Sequence, residues 1–238
     1  MSSLCLVRHG QSLWNKENKF TGWINIDLTE EGKLEAQKSG EFIKKEKYNF
    51  DIAYTSILIR ANHTLDIILK EINQSSIEIK KSWLINERHY GALQGLNKQE
   101  TAKKYGKDQV HAWRRGYDIK PPPLKKSDKS HPKFDELFKN IPTHLLPDSE
   151  SLKDTYKRTI QYWDTEMVNS FNQGKNILIV AHGNSLRALC KYLLKIEDSN
   201  IQQLEIPTGN PLIIEFENQK IKKIFYLDKQ RKNKLPAV

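Results

Sequence analysis

A chain of 238 residues with a formal net charge of +10 is long enough to bury a full core in one domain, residues 1–238. No run approaches the roughly 20 apolar residues of a membrane span, and residues 1–10 lack the basic and apolar segments of a secretory signal, so a cytoplasmic protein with no membrane partner is expected. The positive charge raises the question of nucleic acid. However, Lys supplies 31 of the 39 basic residues and is scattered, while six of the eight Arg (Arg8, Arg60, Arg88, Arg114, Arg115, Arg187) lie in or beside the motif segments. That clustering favours a small anionic ligand and no nucleic-acid partner.

The first element is an apolar run, Leu4-Cys5-Leu6-Val7, followed by Arg8-His9-Gly10. It reads as a buried strand that delivers a histidine and an arginine to its C-terminal edge, where open α/β sheets place their chemistry. Residues 15–23 read as a polar loop, either a plain turn or a cover over the site with Thr21 and Gly22 facing it. Thr29 is placed to cap a helix running to about residue 48, with Leu34, Ala36, Phe42 and Ile43 as its apolar face. Ile52-Ala53-Tyr54-Thr55 is a short strand. Ser56 is expected to cap the next helix, which carries Arg60 in its first turns and Ile57, Ala61, Leu65, Ile68 and Ile72 on one face. Residues 77–79 read as a further strand.

Asn86-Glu87-Arg88-His89-Tyr90-Gly91 is dense in ionisable groups. It is either an exposed polar loop or a proton-transferring carboxylate held among cations, with neighbouring Arg lowering and burial raising the affinity of Glu87 for a proton. Residues 91–148 have a weaker pattern and read as a helical and loop insertion over the active edge, with short helices near 98–104 and 109–115. In it, Trp113-Arg114-Arg115 is either packing with a solvated charge pair or an anion clamp that Lys98 could join. One long amphipathic helix follows over Leu152, Tyr156, Ile160, Trp163, Met167 and Phe171, and Gly174 ends it.

Ile177-Leu178-Ile179-Val180-Ala181-His182-Gly183-Asn184-Ser185 then repeats the grammar of the first motif. A helix starting directly after His182 exposes free backbone N–H groups, a ready anion site. A hairpin over 212–216 and 224–227 turns at 217–220. Residues 228–238 are poor in apolar side chains and read as a mobile tail: a frayed end, or a lid whose Lys229, Arg231, Lys232 and Lys234 close over an anionic ligand. Cys5 and Cys190 read as core residues of a reducing compartment.

The alternation of strands and helices gives an α/β, three-layer α/β/α fold with a mostly parallel central sheet. Two His, several Arg and one Glu, with no carboxylate pair or ligand cluster for a metal, point to metal-free phosphoryl transfer through a phosphohistidine. At these residues the sequence resembles the histidine phosphatase superfamily, and within it the cofactor-dependent phosphoglycerate mutases. The resemblance rests on Leu-Val-Arg-His-Gly-Gln-Ser (6–12), Phe-Thr-Gly-Trp (20–23), the Asn-Glu-Arg-His-Tyr-Gly run (86–91), Trp-Arg-Arg-Gly (113–116), Ala-His-Gly-Asn-Ser-Leu-Arg-Ala-Leu (181–189) and Ile-Pro-Thr-Gly (206–209).

The resemblance implies that His9 is phosphorylated, that Glu87 gives and takes the proton, and that His182, Arg8 and Arg60 stabilise the moving phosphoryl group. It implies substrate contacts at Ser12, Asn15, Thr21, Gly22, Arg88, His89, Tyr90, Lys98, Arg114, Arg115, Gly183 and Asn184. It further implies 2,3-bisphosphoglycerate as cofactor, no metal, phosphoglycerates as small-molecule partners, and a homodimer or homotetramer. Two positions depart from the family pattern: Leu84, where a basic residue is usual, and Asp228, where glycine is. A phosphatase that releases phosphate to water is the alternative enzyme, and a basic nucleic-acid-binding protein the alternative of another class.

Overall fold

Adjacent parallel strands carry both histidine motifs to one edge. The computed structural model describes residues 2–233. Among them, β1 (Ser2–Arg8), β2 (Ile52–Thr55), β3 (Glu78–Lys81), β4 (Ile177–Ala181), β5 (Leu212–Glu217) and β6 (Lys220–Tyr226) form one sheet in the order β3-β2-β4-β1-β5-β6. β1, β2, β3 and β4 run parallel, whereas β5 is antiparallel to both β1 and β6. The interior strands carry apolar runs, residues 4–7 in β1 and Ile177–Ala181 in β4, because both faces are covered. Pleating sends Leu4, Leu6, Ile177 and Ile179 into one core and Cys5, Val7, Leu178 and Val180 into the other.

The helices in chain order are α1 (Leu13–Lys16), α2 (Glu30–Lys45), α3 (Ile59–Glu71), α4 (Lys98–Tyr105), α5 (Lys107–Arg115), α6 (Leu152–Tyr162), α7 (Val168–Asn172) and α8 (Gly183–Leu193). α2 and α3 cover the face with Ile43, Leu65 and Ile68, while α6 and α8 cover the other with Ile160, Leu186 and Leu189. The three-layer expectation holds. The long helix before β4 is continuous through a π-helical segment, Trp163–Met167, and ends at Gly174, φ +77°. No helix of the described residues is long and apolar enough to cross a membrane.

Four local expectations need correction. Leu34 is exposed, and α2 buries, besides the expected Ala36 and Ile43, the small residues Gly32, Ser39 and Gly40. Ser56 does not cap α3, whose N-cap is Leu58 without a side-chain bond; its hydroxyl meets His182 instead. The hairpin is tighter than expected: β5 and β6 join through Asn218 and Gln219 alone, both at positive φ, 51° and 61°. This is the two-residue turn whose twist matches that of the strands.

The fourth concerns the tail. Residues 228–233 are tied down by polar bonds rather than by a core. Asn210 exchanges side-chain bonds with the backbone of Asp228 at 3.0 and 3.1 Å. Arg231 donates to Asp228 Oδ2 at 2.7 Å and to the carbonyls of Thr208 and Gly209 at 3.2 and 3.1 Å. Arg231 is thus committed to the protein and not free to face a ligand. Lys234 and the rest of the expected tail lie outside the described residues.

Two small helices of the insertion, α4 and α5, stand over the C-terminal edge of the sheet. They are seated by a cluster of Phe20, Leu93, Val110 and Trp113, and the loop beyond them by Trp23, Leu58, Phe138, Ile141 and Leu146.

Candidate active site

In the β1–β4 register, Arg8 pairs with Ala181, so His9 and His182 leave neighbouring strands together. Their ring centroids are 5.0 Å apart, and both rings are buried. The turn after His9 needs Gly10: a Cβ there would sit 2.1 Å from the Gly32 carbonyl, and one on Gly32 would sit 2.1 Å from the Gln11 carbonyl. Backbone thus packs on backbone where α2 begins.

The tautomer of His9 follows from its partners. Arg60 Nε donates to His9 Nε2 at 3.3 Å. Guanidinium groups have no acceptor, so Nε2 carries the lone pair. The proton is then on Nδ1, which donates to the Gly10 carbonyl at 2.7 Å. Burial first, then the charges of Arg60 and Arg8, hold the His9 imidazole well below its ordinary protonation range. A neutral imidazole fixed at Nδ1, with its Nε2 lone pair met among the described residues only by the long Arg60 bond, is a prepared nucleophile. His182 is likewise kept neutral by burial and by Arg60, and Ser56 Oγ lies 2.7 Å from its Nε2.

The cations around them are structurally fixed. Arg60 donates to the carbonyls of Ile24 and Gly22 at 2.9 and 2.8 Å; burial lowers its pKa to about 10, so it remains charged at neutral pH. Arg8 Nη1 donates to the Ile206 carbonyl at 3.0 Å, while its buried Nε has no partner among the described residues. Thr21 Oγ1 is a second buried polar atom without a partner there.

Glu87 reaches the same cavity from the loop after β3. Trp23 Nε1 and Arg158 Nη2 donate to its backbone carbonyl at 2.6 and 2.9 Å. Arg158 also holds the carbonyls of Leu84 and Asn86 and forms a buried ion pair with Glu150 at 2.7 Å. Glu150 Oε2 in turn accepts from His89 N at 2.8 Å. Leu84, the uncharged departure, therefore contributes a backbone carbonyl to this clamp.

One cavity is lined by Arg8, His9, Asn15, Thr21, Gly22, Arg60, Glu87, Tyr90, Lys98, Arg114, Arg115, Gly183 and Asn184. All were expected contacts. Lys19, Arg187, Glu205 and Ile206 complete its wall and were not among them. Glu205 is paired with Arg115 at 2.8 Å.

Three expected contacts and one expected catalytic residue, His182, are absent from the wall. Ser12 caps α1, accepting from Asn15 N at 3.2 Å. Arg88 is fully buried and donates to the Tyr90 hydroxyl and the Arg114 carbonyl at 3.1 and 2.7 Å. His89 is buried beside Trp23, with ring centroids 5.9 Å apart, and its pKa is lowered to about 3 by burial and by His131. These three brace the wall from behind. His182 lies behind His9 in the same way.

With this geometry in view, the comparisons are specific. The profile of the histidine phosphatase superfamily (branch 1) matches residues 4–130 and 123–228. The 2,3-bisphosphoglycerate-dependent phosphoglycerate mutase of Pelagibacter ubique is 51% identical over 232 residues, covering 97% of each chain. That of Buchnera aphidicola subsp. Cinara cedri is 54% identical over 225 residues, 94% of this chain and 98% of its own. The chain belongs to the histidine phosphatase superfamily and, within it, to the phosphoglycerate mutases. The α-ribazole phosphatase of Shigella flexneri shares the superfamily fold, with a TM-score of 0.69 at 18% identity over 99% of this chain and 100% of its own.

Proposed function

We propose that the protein interconverts 3-phosphoglycerate and 2-phosphoglycerate, in glycolysis and gluconeogenesis, through a phosphohistidine at His9. The observation that carries this reading is the unprotonated Nε2 of His9, held by Arg60 and Gly10 in a cavity that also contains Glu87. The relatives at 51% and 54% identity support the choice of substrate.

His9 Nε2 attacks phosphorus in line with the leaving oxygen; the N–P bond forms as the O–P bond breaks. Arg8, Arg60 and the α8 N-terminus hold the equatorial oxygens as charge spreads over them. Glu87 gives its proton to the leaving alkoxide and takes one back from the attacking hydroxyl in the reverse sense. Lys98, Arg114 and Arg115 hold the carboxylate and the phosphate that is not reacting, so the substrate can change which oxygen faces His9 without leaving.

The cavity suits a doubly phosphorylated anion. Its cations come from β1, the loop after α1, α3, α4, α5 and α8, and Arg8 Nε and Thr21 Oγ1 are buried donors still to be satisfied. When bound, 2,3-bisphosphoglycerate supplies the phosphoryl group that charges His9. The reading includes a cytoplasmic location and a homodimer or homotetramer.

An enolase-coupled assay with and without 2,3-bisphosphoglycerate tests it. Mutase turnover that rises sharply with the bisphosphate is expected. Release of phosphate without 2-phosphoglycerate would make the protein a phosphatase instead.

A further inference from the structure

The two oxygens of Glu87 are not equivalent. Oε1 accepts three bonds: from Arg88 N at 2.7 Å, Asn184 Nδ2 at 2.7 Å and Asn184 N at 3.3 Å. Oε2 has no hydrogen-bond partner among the described residues, and the carboxylate lines the cavity. Three donors fill the lone-pair space of Oε1, so a proton there would collide with one of them.

The amide that enforces this is itself set from behind. Arg187 Nη1 donates to Asn184 Oδ1 at 2.9 Å. An amide can turn over in place, exchanging its oxygen and nitrogen. A guanidinium offers only donors, so the atom facing Arg187 must be the oxygen. The amide nitrogen then has to face Glu87. Arg187 cannot easily leave this post: it is buried, and Nη2 donates to the carbonyls of Ile201 and Arg115 at 2.8 and 3.3 Å.

We infer that Arg187 is a positioning residue for proton transfer: acting through Asn184, it commits Oε1 of Glu87 to the protein and leaves Oε2 as the oxygen that gives and takes the substrate proton. This rests on the proton-transfer reading of Glu87. Without Arg187, Asn184 Oδ1 loses its donor, and the amide is held, among the described residues, only by Glu87 Oε1 and by the Tyr90 hydroxyl, 3.3 Å from Nδ2; its grip on Oε1 slackens and the carboxylate turns more freely. The proton-carrying oxygen then spends only part of its time facing the substrate.

The test is steady-state kinetics with 3-phosphoglycerate for four variants: Glu87→Gln, Arg187→Met, Arg187→Lys and the double variant Glu87→Gln/Arg187→Met. Arg187→Met is expected to lower kcat roughly 10- to 30-fold with KM within about threefold of the parent. Arg187→Lys, which keeps a donor in reach of Asn184 Oδ1, should recover most of kcat. The double variant should be no slower than Glu87→Gln alone, because both changes act on one step.

Arg187 also borders the cavity, which makes direct anion binding the rival. A raised KM with kcat intact, or losses that multiply in the double variant, would overturn the inference in its favour. A Glu87→Gln variant with parental kcat would instead remove the proton-transfer reading itself, a separate result. Should Arg187→Met not fold, Asn184→Asp serves: it keeps an acceptor for Arg187 but removes the side-chain donor to Oε1. A kcat loss of roughly 10-fold or more with KM preserved supports the positioning role, and a parental kcat overturns it.

Discussion

Ser56 Oγ stands 2.7 Å from Nε2 of His182. Ser56 follows β2 just as His182 follows β4, and in the register of those neighbouring strands Thr55 pairs with Val180. The serine also accepts from Leu58 N at 3.2 Å, so its position is fixed by the turn into α3. It aims the second imidazole while Arg60 aims the first. Ser56→Ala should lower kcat about 5- to 30-fold, the equivalent of one or two kcal/mol in a buried hydrogen bond, with little change in KM. A parental kcat would mean that packing alone orients His182.

The proposed nucleophile is His9, whose Nε2 accepts from Arg60. Incubation with 2,3-bisphosphoglycerate should give an acid-labile, base-stable phosphoprotein in the parent and none in His9→Ala. His182→Ala should still be labelled, more slowly. Because burial, Arg60 and Arg8 depress protonation of His9, labelling should persist as pH falls through about 6.5, the ordinary histidine range. A label that mapped to His182 would refute the assignment.

Three buried histidines tie folding to pH. His9 and His182 are held below the ordinary value, and His89 is held at about 3, all chiefly by burial. Below pH ~6.5 the unfolded chain takes up protons that the folded chain refuses, so stability is full above that pH and falls as pH drops toward the folded values. The slope should approach ~1.4 kcal/mol per pH unit for each histidine. Urea unfolding at pH 7 and pH 5.5 reads this directly. Equal midpoints would show that these rings are not neutral in the fold.

The chain end gives a sharper contrast. Arg231 grips the carbonyls of Thr208 and Gly209, Asn233 donates to the Glu205 carbonyl at 3.2 Å, and the same loop receives Arg8 at Ile206. Arg231→Ala should loosen Arg8 and lower kcat/KM by roughly 3- to 10-fold, in keeping with about 1 kcal/mol of lost hydrogen bonding. Lys229→Ala, exposed and unpaired among the described residues, should leave it unchanged. If the two variants behave alike, the Arg231 contacts do not reach the site.

What could be read from sequence depended on how local the cause was. His9 and His182 were legible because each follows a short apolar run, and runs of that length are buried parallel strands. The buried face of α2 was legible only in part. Beyond the expected Ala36 and Ile43 it is made of Gly32, Ser39 and Gly40, residues that hydrophobic patterning ignores; the helix approaches its neighbours too closely there for anything larger, since a Cβ on Gly40 would lie 2.6 Å from Glu71 Cβ.

Ser56 has the chemistry of a helix cap, and nothing nearby in the chain announces that a strand arriving over a hundred residues later will bring it an imidazole. Arg158 and Glu150 are likewise ordinary charged residues in sequence. They pair directly and are buried where the loop carrying Glu87 bonds to both of them. The cavity residues of α4 and α5, Lys98, Arg114 and Arg115, stood in the sequence as one of two readings, an anion clamp or a solvated charge pair, and the family resemblance favoured the first. The backing roles of Arg88 and His89 depend on which way a loop turns, which adjacent ionisable residues do not encode.

Seven cationic side chains line the cavity (Arg8, Lys19, Arg60, Lys98, Arg114, Arg115 and Arg187) against two carboxylates, Glu87 and Glu205. The unfolded chain disperses these like charges, and the native fold gathers them. An anion that enters the cavity binds the native chain alone and shifts the folding equilibrium by RT ln(1 + [L]/Kd), ~2.7 kcal/mol at a hundredfold excess over Kd. In a cell, proteases draw on the small unfolded fraction. The lifetime of each copy would thus lengthen when its metabolites are plentiful and shorten in starvation, so that the standing amount of protein follows the supply of its ligands with no change in synthesis.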